Sequence, residues 1–146
     1  MLQNRFKKIL VALDGSIHSR KGLNEAISLA RQTNGKITGI FVLPVLSLGG
    51  GSSMTLAYRQ ILLKKSRKFM SESKTAAAIH GIEFDGKILK SNDICNTITN
   101  FARSNKFDII IIGAHGQTSS SPKSPFLGSV SNMIVNTCFL PVLLVR

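Results

Sequence analysis

Lys8-Ile-Leu-Val-Ala-Leu13 and Asp108-Ile-Ile-Ile-Ile112 are apolar at successive positions, not at every second one. A strand with one face in water alternates polar and apolar side chains; a strand without alternation needs cover on both faces. A parallel sheet with helices on each side supplies that cover. The segments between such runs carry the 3.6-residue period. Leu23, Ala26, Ile27 and Ala30 share one helical face, and Asn34-Gly35 supplies the stop. Residues 36–43 read as a second strand ended by Pro44. A long helix over about 54–80 follows, with Leu56, Ile61, Leu63, Phe69, Met70 and Ala77 as its apolar positions and Gly81 as its stop. Residues 82–89 read as a third strand. Asn92 or Asp93 caps the next helix, in which Ile94, Ile98, Phe101 and Ala102 share a face and Asn105 is the stop. A short helix over about 128–138 and a last strand over 142–145, opened by Pro141, complete the chain.

The order is β-α-β-α-β-α-β-α-β. It predicts a doubly wound α/β fold, with a five-stranded parallel sheet and right-handed crossovers. At 146 residues the chain is expected to form one domain over 1–146. Its 43% hydrophobic and 18% charged residues exclude wholesale disorder. Cys95 and Cys138 form no Cys-x-x-Cys pair and no His cluster accompanies them, so neither a metal site nor a disulfide framework is expected. The tightest apolar run, at 109–112, is too short for a bilayer span. The basic N-terminal residues precede no cleavage-site pattern, and a cytoplasmic protein is the expectation.

Nineteen Lys and Arg stand against seven Asp and Glu, a formal charge of +12. Such a surface favours anionic ligands and raises nucleic acid as a candidate partner. Lys64, Lys65, Arg67 and Lys68 form a basic run within the long helix. This reads as a solvated face or as a polyanion contact.

Ligands of doubly wound sheets bind beyond the carboxyl ends of the strands. Two strand ends carry unusual residues: Asp14-Gly15-Ser16 after the first, and Gly113-Ala114-His115-Gly116 after the fourth, continuing to Gly128-Ser129-Val130-Ser131 at a helix start. Glycines let backbone approach a ligand closely, and a helix N-terminus presents free N–H groups to phosphate. Asp14 is placed to accept hydrogen bonds from a ribose or adenine, or to help hold Mg2+. There is no Gly-x4-Gly-Lys-Ser/Thr and no Gly-x-Gly-x-x-Gly after the first strand, which argues against a P-loop ATPase and a dinucleotide fold of that kind. Gly49-Gly50-Gly51 reads as a flexible connection or a ligand lid.

These residues resemble the universal stress protein family. Residues 8–16 look like its opening strand, Asp108 to Gly116 with Gly128-Ser129-Val130 look like its nucleotide motif, and 141–145 look like its last strand. The resemblance implies a sheet of order 3-2-1-4-5, of the adenine-nucleotide alpha-hydrolase-like kind. It implies a site for ATP or a related adenine nucleotide, and a stress-response or signalling role. By position, Asp14 would sit near ribose and adenine, and Val42 would offer backbone to the adenine edge. Gly113, His115 and Gly116 would line the phosphates, and Gly128, Ser129, Val130 and Ser131 would clasp them. It also implies a homodimer through the last strand, Val142–Val145. The loop over 117–127 has eleven residues, two more than the family's usual spacing. Two other functions stay open beside the nucleotide-binding one. The first is a slow ATP or phosphoester hydrolase using Asp14 and His115. The second is a basic nucleic-acid-binding module.

Overall fold

The structure is a computed structural model, and it describes residues 5–45, 53–116 and 126–146. The glycine run at 49–51 and the serine–proline part of the longer loop, 117–125, lie outside the described residues. The elements in chain order are β1 (Lys8–Ala12), α1 (Ile17–Thr33), β2 (Lys36–Leu43), α2 (Ser53–Ile79), β3 (Phe84–Lys90), α3 (Ile94–Ser104), β4 (Ile109–Gly113), α4 (Ser129–Thr137) and β5 (Val142–Val145). They build one sheet of order β3-β2-β1-β4-β5 in which every neighbouring pair is parallel.

The unbroken apolar runs have a direct structural cause. Successive side chains of a strand point to opposite faces. Ile9, Val11, Ile109 and Ile111 therefore enter one layer, with Leu23, Ala26, Ile27 and Ala30 of α1 and Phe69, Met70 and Ala77 of α2. Leu10, Ala12, Ile110 and Ile112 enter the other, with Ile98 and Ala102 of α3 and Ile134 of α4. Ile9, Leu10, Val11, Ile110 and Ile111 are wholly buried. Each such side chain stabilises the fold by about 1.5–3 kcal/mol relative to an exposed position.

Capping follows local chemistry. The Ser16 hydroxyl accepts from Ser19 N at 3.1 Å to start α1, and Asn34 ends it in the left-handed conformation. Asp93 accepts from Asn96 N at 3.2 Å to start α3. At the end of α2, Gly81 N donates to Ala78 O and Ile82 N to Ala77 O, with Gly81 at φ 69°, a Schellman turn. That turn consumes Ile82, which is why β3 starts at Phe84 and not at 82. Asn105 does stop α3, but the left-handed residue is Lys106. Two residues assigned above to the apolar face of α2 are corrected: Leu56 and Ile61 are 63% and 52% exposed. The buried stripe of that helix runs instead through Ser66, Phe69, Met70, Ser73 and Ala77. Its two serines are satisfied by the carbonyls of Leu63 and Phe69. Among the described residues no helix is long and apolar enough to cross a membrane.

Candidate functional site

Helices α1 and α2 cover one face of the sheet and α3 and α4 the other. The change of face falls between β1 and β4, which are adjacent at the centre. Connections leave that point in opposite directions, so the carboxyl ends of these two strands cannot both be covered and a crevice opens there. The crevice is a cleft of about 1040 Å³. Asp14, Gly15, Val42, Gly113, His115, Gly116, Gly128, Ser129, Val130 and Ser131 all line it. The nine residues named above as nucleotide contacts, Gly15 aside, thus line one cavity.

The backbone of Val42 faces the cleft for a reason of strand parity. Lys36 N donates to Lys7 O and Leu13 N donates to Ile40 O, so even-numbered residues of β2 turn their polar groups toward β1. Ile37 N donates to Glu83 O and Ser91 N to Leu43 O, so odd-numbered ones turn toward β3. The β1–β2 register ends at Ala12↔Ile40, whereas β2–β3 continues through Val42↔Leu89. Val42 therefore directs its N–H and C=O into the space that β1 has vacated.

On the opposite wall, the loop after β4 is pinned to α4. Ala114 N donates to Val145 O at 2.7 Å, and Gly128 N donates to Ala114 O at 2.8 Å. The Ser131 hydroxyl lies 2.9 Å from Ala114 O and 3.0 Å from Gly128 O, so its one proton serves the loop. Gly128 caps α4 without a side-chain hydrogen bond. The first-turn amides of Ser129, Val130 and Ser131 have no acceptor within the helix, and the positive end of its dipole lies with them. The glycines differ in what surrounds them. A Cβ on Gly116 would lie 3.0 Å from Asp14 Oδ2, so this glycine keeps the carboxylate and the loop together. A Cβ on Gly113 would meet backbone atoms of His18 at 2.7 and 2.8 Å, which makes Gly113 a helix-packing residue of α1 as well as a cleft residue.

Asp14 Oδ1 accepts from Ser16 N at 2.8 Å, a turn that orients the carboxylate at the cleft floor. Behind the loop, His18 and His115 are both buried, with rings edge to face at 4.9 Å. Among the described residues His18 Nδ1 has no hydrogen-bond partner. Burial holds the His18 imidazole below its ordinary value of 6.5; His115 and Lys21 push the same way and Asp14 opposes them. His18 was not singled out in the sequence, because nothing there places a residue of α1 beneath the loop after β4.

The cleft also has a wall that the sequence did not identify. Tyr58, Ile61, Lys65, Lys68 and Glu72 of α2 line it. Their spacing of three, four, three and four is one helical stripe. The basic run is therefore divided: all four side chains are exposed, but Lys65 and Lys68 line the cleft and Lys64 and Arg67 do not. Arg20 is tied to Glu72 at 2.9 Å and lies over the Phe69 ring. Among the described residues no cluster of three or more His, Cys, Asp or Glu is grouped to hold a metal ion.

The model of the universal stress protein family matches residues 5–146. The chain belongs to that family. It is 27% identical over 147 residues to Universal stress protein MJ0531 of Methanocaldococcus jannaschii, covering 99% of this chain and 84% of that one. It is 29% identical over 150 residues to Universal stress protein YxiE of Bacillus subtilis, covering 97% and 99%. Among solved structures, Universal stress protein UspA from Lactobacillus plantarum superposes with a TM-score of 0.85 at 20% identity, covering 97% of this chain and 99% of that one. A universal stress protein from Archaeoglobus fulgidus solved in complex with dAMP gives 0.70 at 19% identity, covering 97% and 98%. A universal stress protein in complex with cAMP gives 0.74 at 18%, also covering 97% and 98%. At these identities the structural likeness concerns the fold.

Proposed function

We propose that this universal stress protein binds an adenine nucleotide across the β1–β4 switch point and serves stress response or signalling through that occupancy. The observation that carries the reading is the Val42 backbone edge facing the cleft opposite the first turn of α4. An adenine ring offers a donor and an acceptor on one edge, which an outward N–H and C=O complement. A phosphate suits the amides of Ser129 and Val130 with the backbone of Gly116. Asp14 lies between, where a ribose hydroxyl would donate to it. The donor set fits the group: glycine at 116 leaves room for close approach, and among the described residues no carboxylate other than Asp14 and the Arg20-paired Glu72 lines the cleft. A Mg2+ ion would be held through the phosphates, with Asp14 as its protein carboxylate. The two relatives solved with cAMP and dAMP support the ligand class.

Binding is favoured over hydrolysis. Of the two acid–base candidates, His115 is buried and packed edge to face against His18, and Asp14 is the residue the nucleotide reading assigns to the ribose. Isothermal titration with AMP, ADP and ATP tests the reading, and silence up to millimolar nucleotide would remove it. A homodimer through β5 belongs to the same reading. β5 is an edge strand of the sheet, and Phe139, Met133, Val135 and Leu143 near it are exposed large apolar side chains. Light scattering of the protein and of a Leu143→Lys variant tests it. A monomer at tens of micromolar wild-type protein would exclude it.

A further inference from the structure

We infer that the cleft takes an adenine nucleotide bearing a second phosphate outside its 5′ chain, of the adenosine 3′,5′-bisphosphate class, with Lys65 and Lys68 facing that second phosphate. This rests on the nucleotide reading above and deepens it. The cleft attracts anions at two separate walls. One is the first turn of α4 with the Gly116 backbone. The other is the α2 stripe that carries Lys65 and Lys68. Helix α2 packs on β2 and β3, and α4 lies beyond β4 on the opposite face of the sheet. From β2 to β4 is two strand spacings, about 10 Å. A single phosphate cannot sit at both walls.

The charges of the α2 wall are unbalanced in a specific way. Among the described residues five charged side chains line the cleft: Arg20, Lys65, Lys68, Asp14 and Glu72. Arg20 and Glu72 neutralise each other at 2.9 Å. Asp14 turns one oxygen to Ser16 N and the other toward Gly116, on the β4 side. Among the described residues neither Lys65 nor Lys68 has a carboxylate within ion-pair distance. They stand three apart on one helix face, where like charges repel. The pair lines one cavity wall with Tyr58, Ile61 and Leu62 and stays exposed, so a phosphate would meet it as a solvent-screened contact. With base at Val42, ribose at Asp14 and 5′ phosphate at α4, the remaining phosphorylation positions of the ligand are the ribose hydroxyls, and the inference directs the 3′ one to the α2 wall.

ADP and adenosine 3′,5′-bisphosphate are isomers of equal phosphate number, but two monoester phosphates carry about one more negative charge near pH 7 than ADP does, so a preference counts toward placement only where it depends on Lys65 and Lys68. Titration calorimetry of the full chain with AMP, ADP and adenosine 3′,5′-bisphosphate at about 50 mM salt, where exposed charges are least screened, is the experiment. The bisphosphate is expected to bind about three- to tenfold more tightly than ADP, the range two exposed ammonium–phosphate contacts supply. In the Lys65→Gln/Lys68→Gln double variant, with its thermal transition recorded to show that it folds, the ratio should collapse to about one. The inference is overturned if ADP binds as well as the bisphosphate, or if the preference survives in the double variant. If AMP binds and the bisphosphate gains nothing over ADP, only this inference falls. If none of the three binds, the nucleotide reading falls with it.

Discussion

Replacing Gly113 by alanine puts a methyl group 2.7 Å from His18 C and 2.8 Å from its Cβ and O. These are mostly main-chain atoms of a helix whose Ala26 and Ala30 are wholly buried against the sheet, so α1 cannot yield by a rotamer change. Overpacking of this kind costs about 1–3 kcal/mol, against a gain of about 0.4–1 kcal/mol from the reduced freedom of the unfolded chain. The net expectation is a loss of about 1–2 kcal/mol, which for a domain of this size lowers Tm by roughly 3–8 °C. Gly22 faces the same contact from the other side and predicts the opposite sign. A Cβ there would lie 3.7 Å from Gly113 N, an ordinary contact, and Gly22 is inside a helix. Gly22→Ala should therefore raise stability by about 0.5–1 kcal/mol. Urea unfolding followed by circular dichroism, with Tm from calorimetry, reads both. Equal Tm for Gly113→Ala and wild type, or a destabilised Gly22→Ala, would refute the close-packing account of this helix–strand contact.

Three further outcomes follow from the same geometry. Gly116→Leu should weaken AMP binding at least about tenfold in calorimetry, because its Cβ alone already comes within 3.0 Å of Asp14 Oδ2 and displaces either the carboxylate or the loop. Ser131→Ala should cost about 1 kcal/mol in denaturant unfolding, since Ala114 O keeps the Gly128 N–H but loses the hydroxyl. Native His18 has a lowered pKa, so between that value and 6.5 the unfolded chain binds more protons than the folded one. Stability should hold above 6.5 and fall as pH drops below it, and His18→Phe should flatten that component of the pH profile. An unchanged slope would remove His18 as its source.

The fold was legible because the central strands leave no choice of face. Residues 109–112 carry isoleucine into both layers, and 9–12 do so with mixed aliphatics. The ends of β2 and β5 were fixed by Pro44 and Pro141, and those of α1 and α3 by the side-chain caps of Ser16 and Asp93. The start of β3 was misread by two residues because Ile82 belongs to the Schellman turn: Gly81 marks where the helix stops, but not that the next amide is held by Ala77 O. Within α2, Leu56 and Ile61 were named among the apolar positions, yet both are exposed and the helix buries serines at 66 and 73. The candidate site was legible where glycines and a carboxylate follow strands. The α2 wall was not, since the 3-4-3-4 spacing of Tyr58 to Glu72 describes a face but not what it faces. His18 escaped for the same reason: its partner His115 is almost a hundred residues away in the chain.

The central claim is that main-chain amides at Val42, Gly116, Ser129 and Val130 hold base and phosphate across the junction of β1 and β4. Titrating uniformly 15N-labelled protein with AMP and following its amide resonances addresses each of these groups separately. The account predicts saturable shifts concentrated at those four amides, with residues at the amino ends of the strands, such as Lys8 and Lys36, unmoved. Saturable shifts elsewhere that leave Val42 and the first turn of α4 untouched, or none at all at millimolar nucleotide, would contradict it.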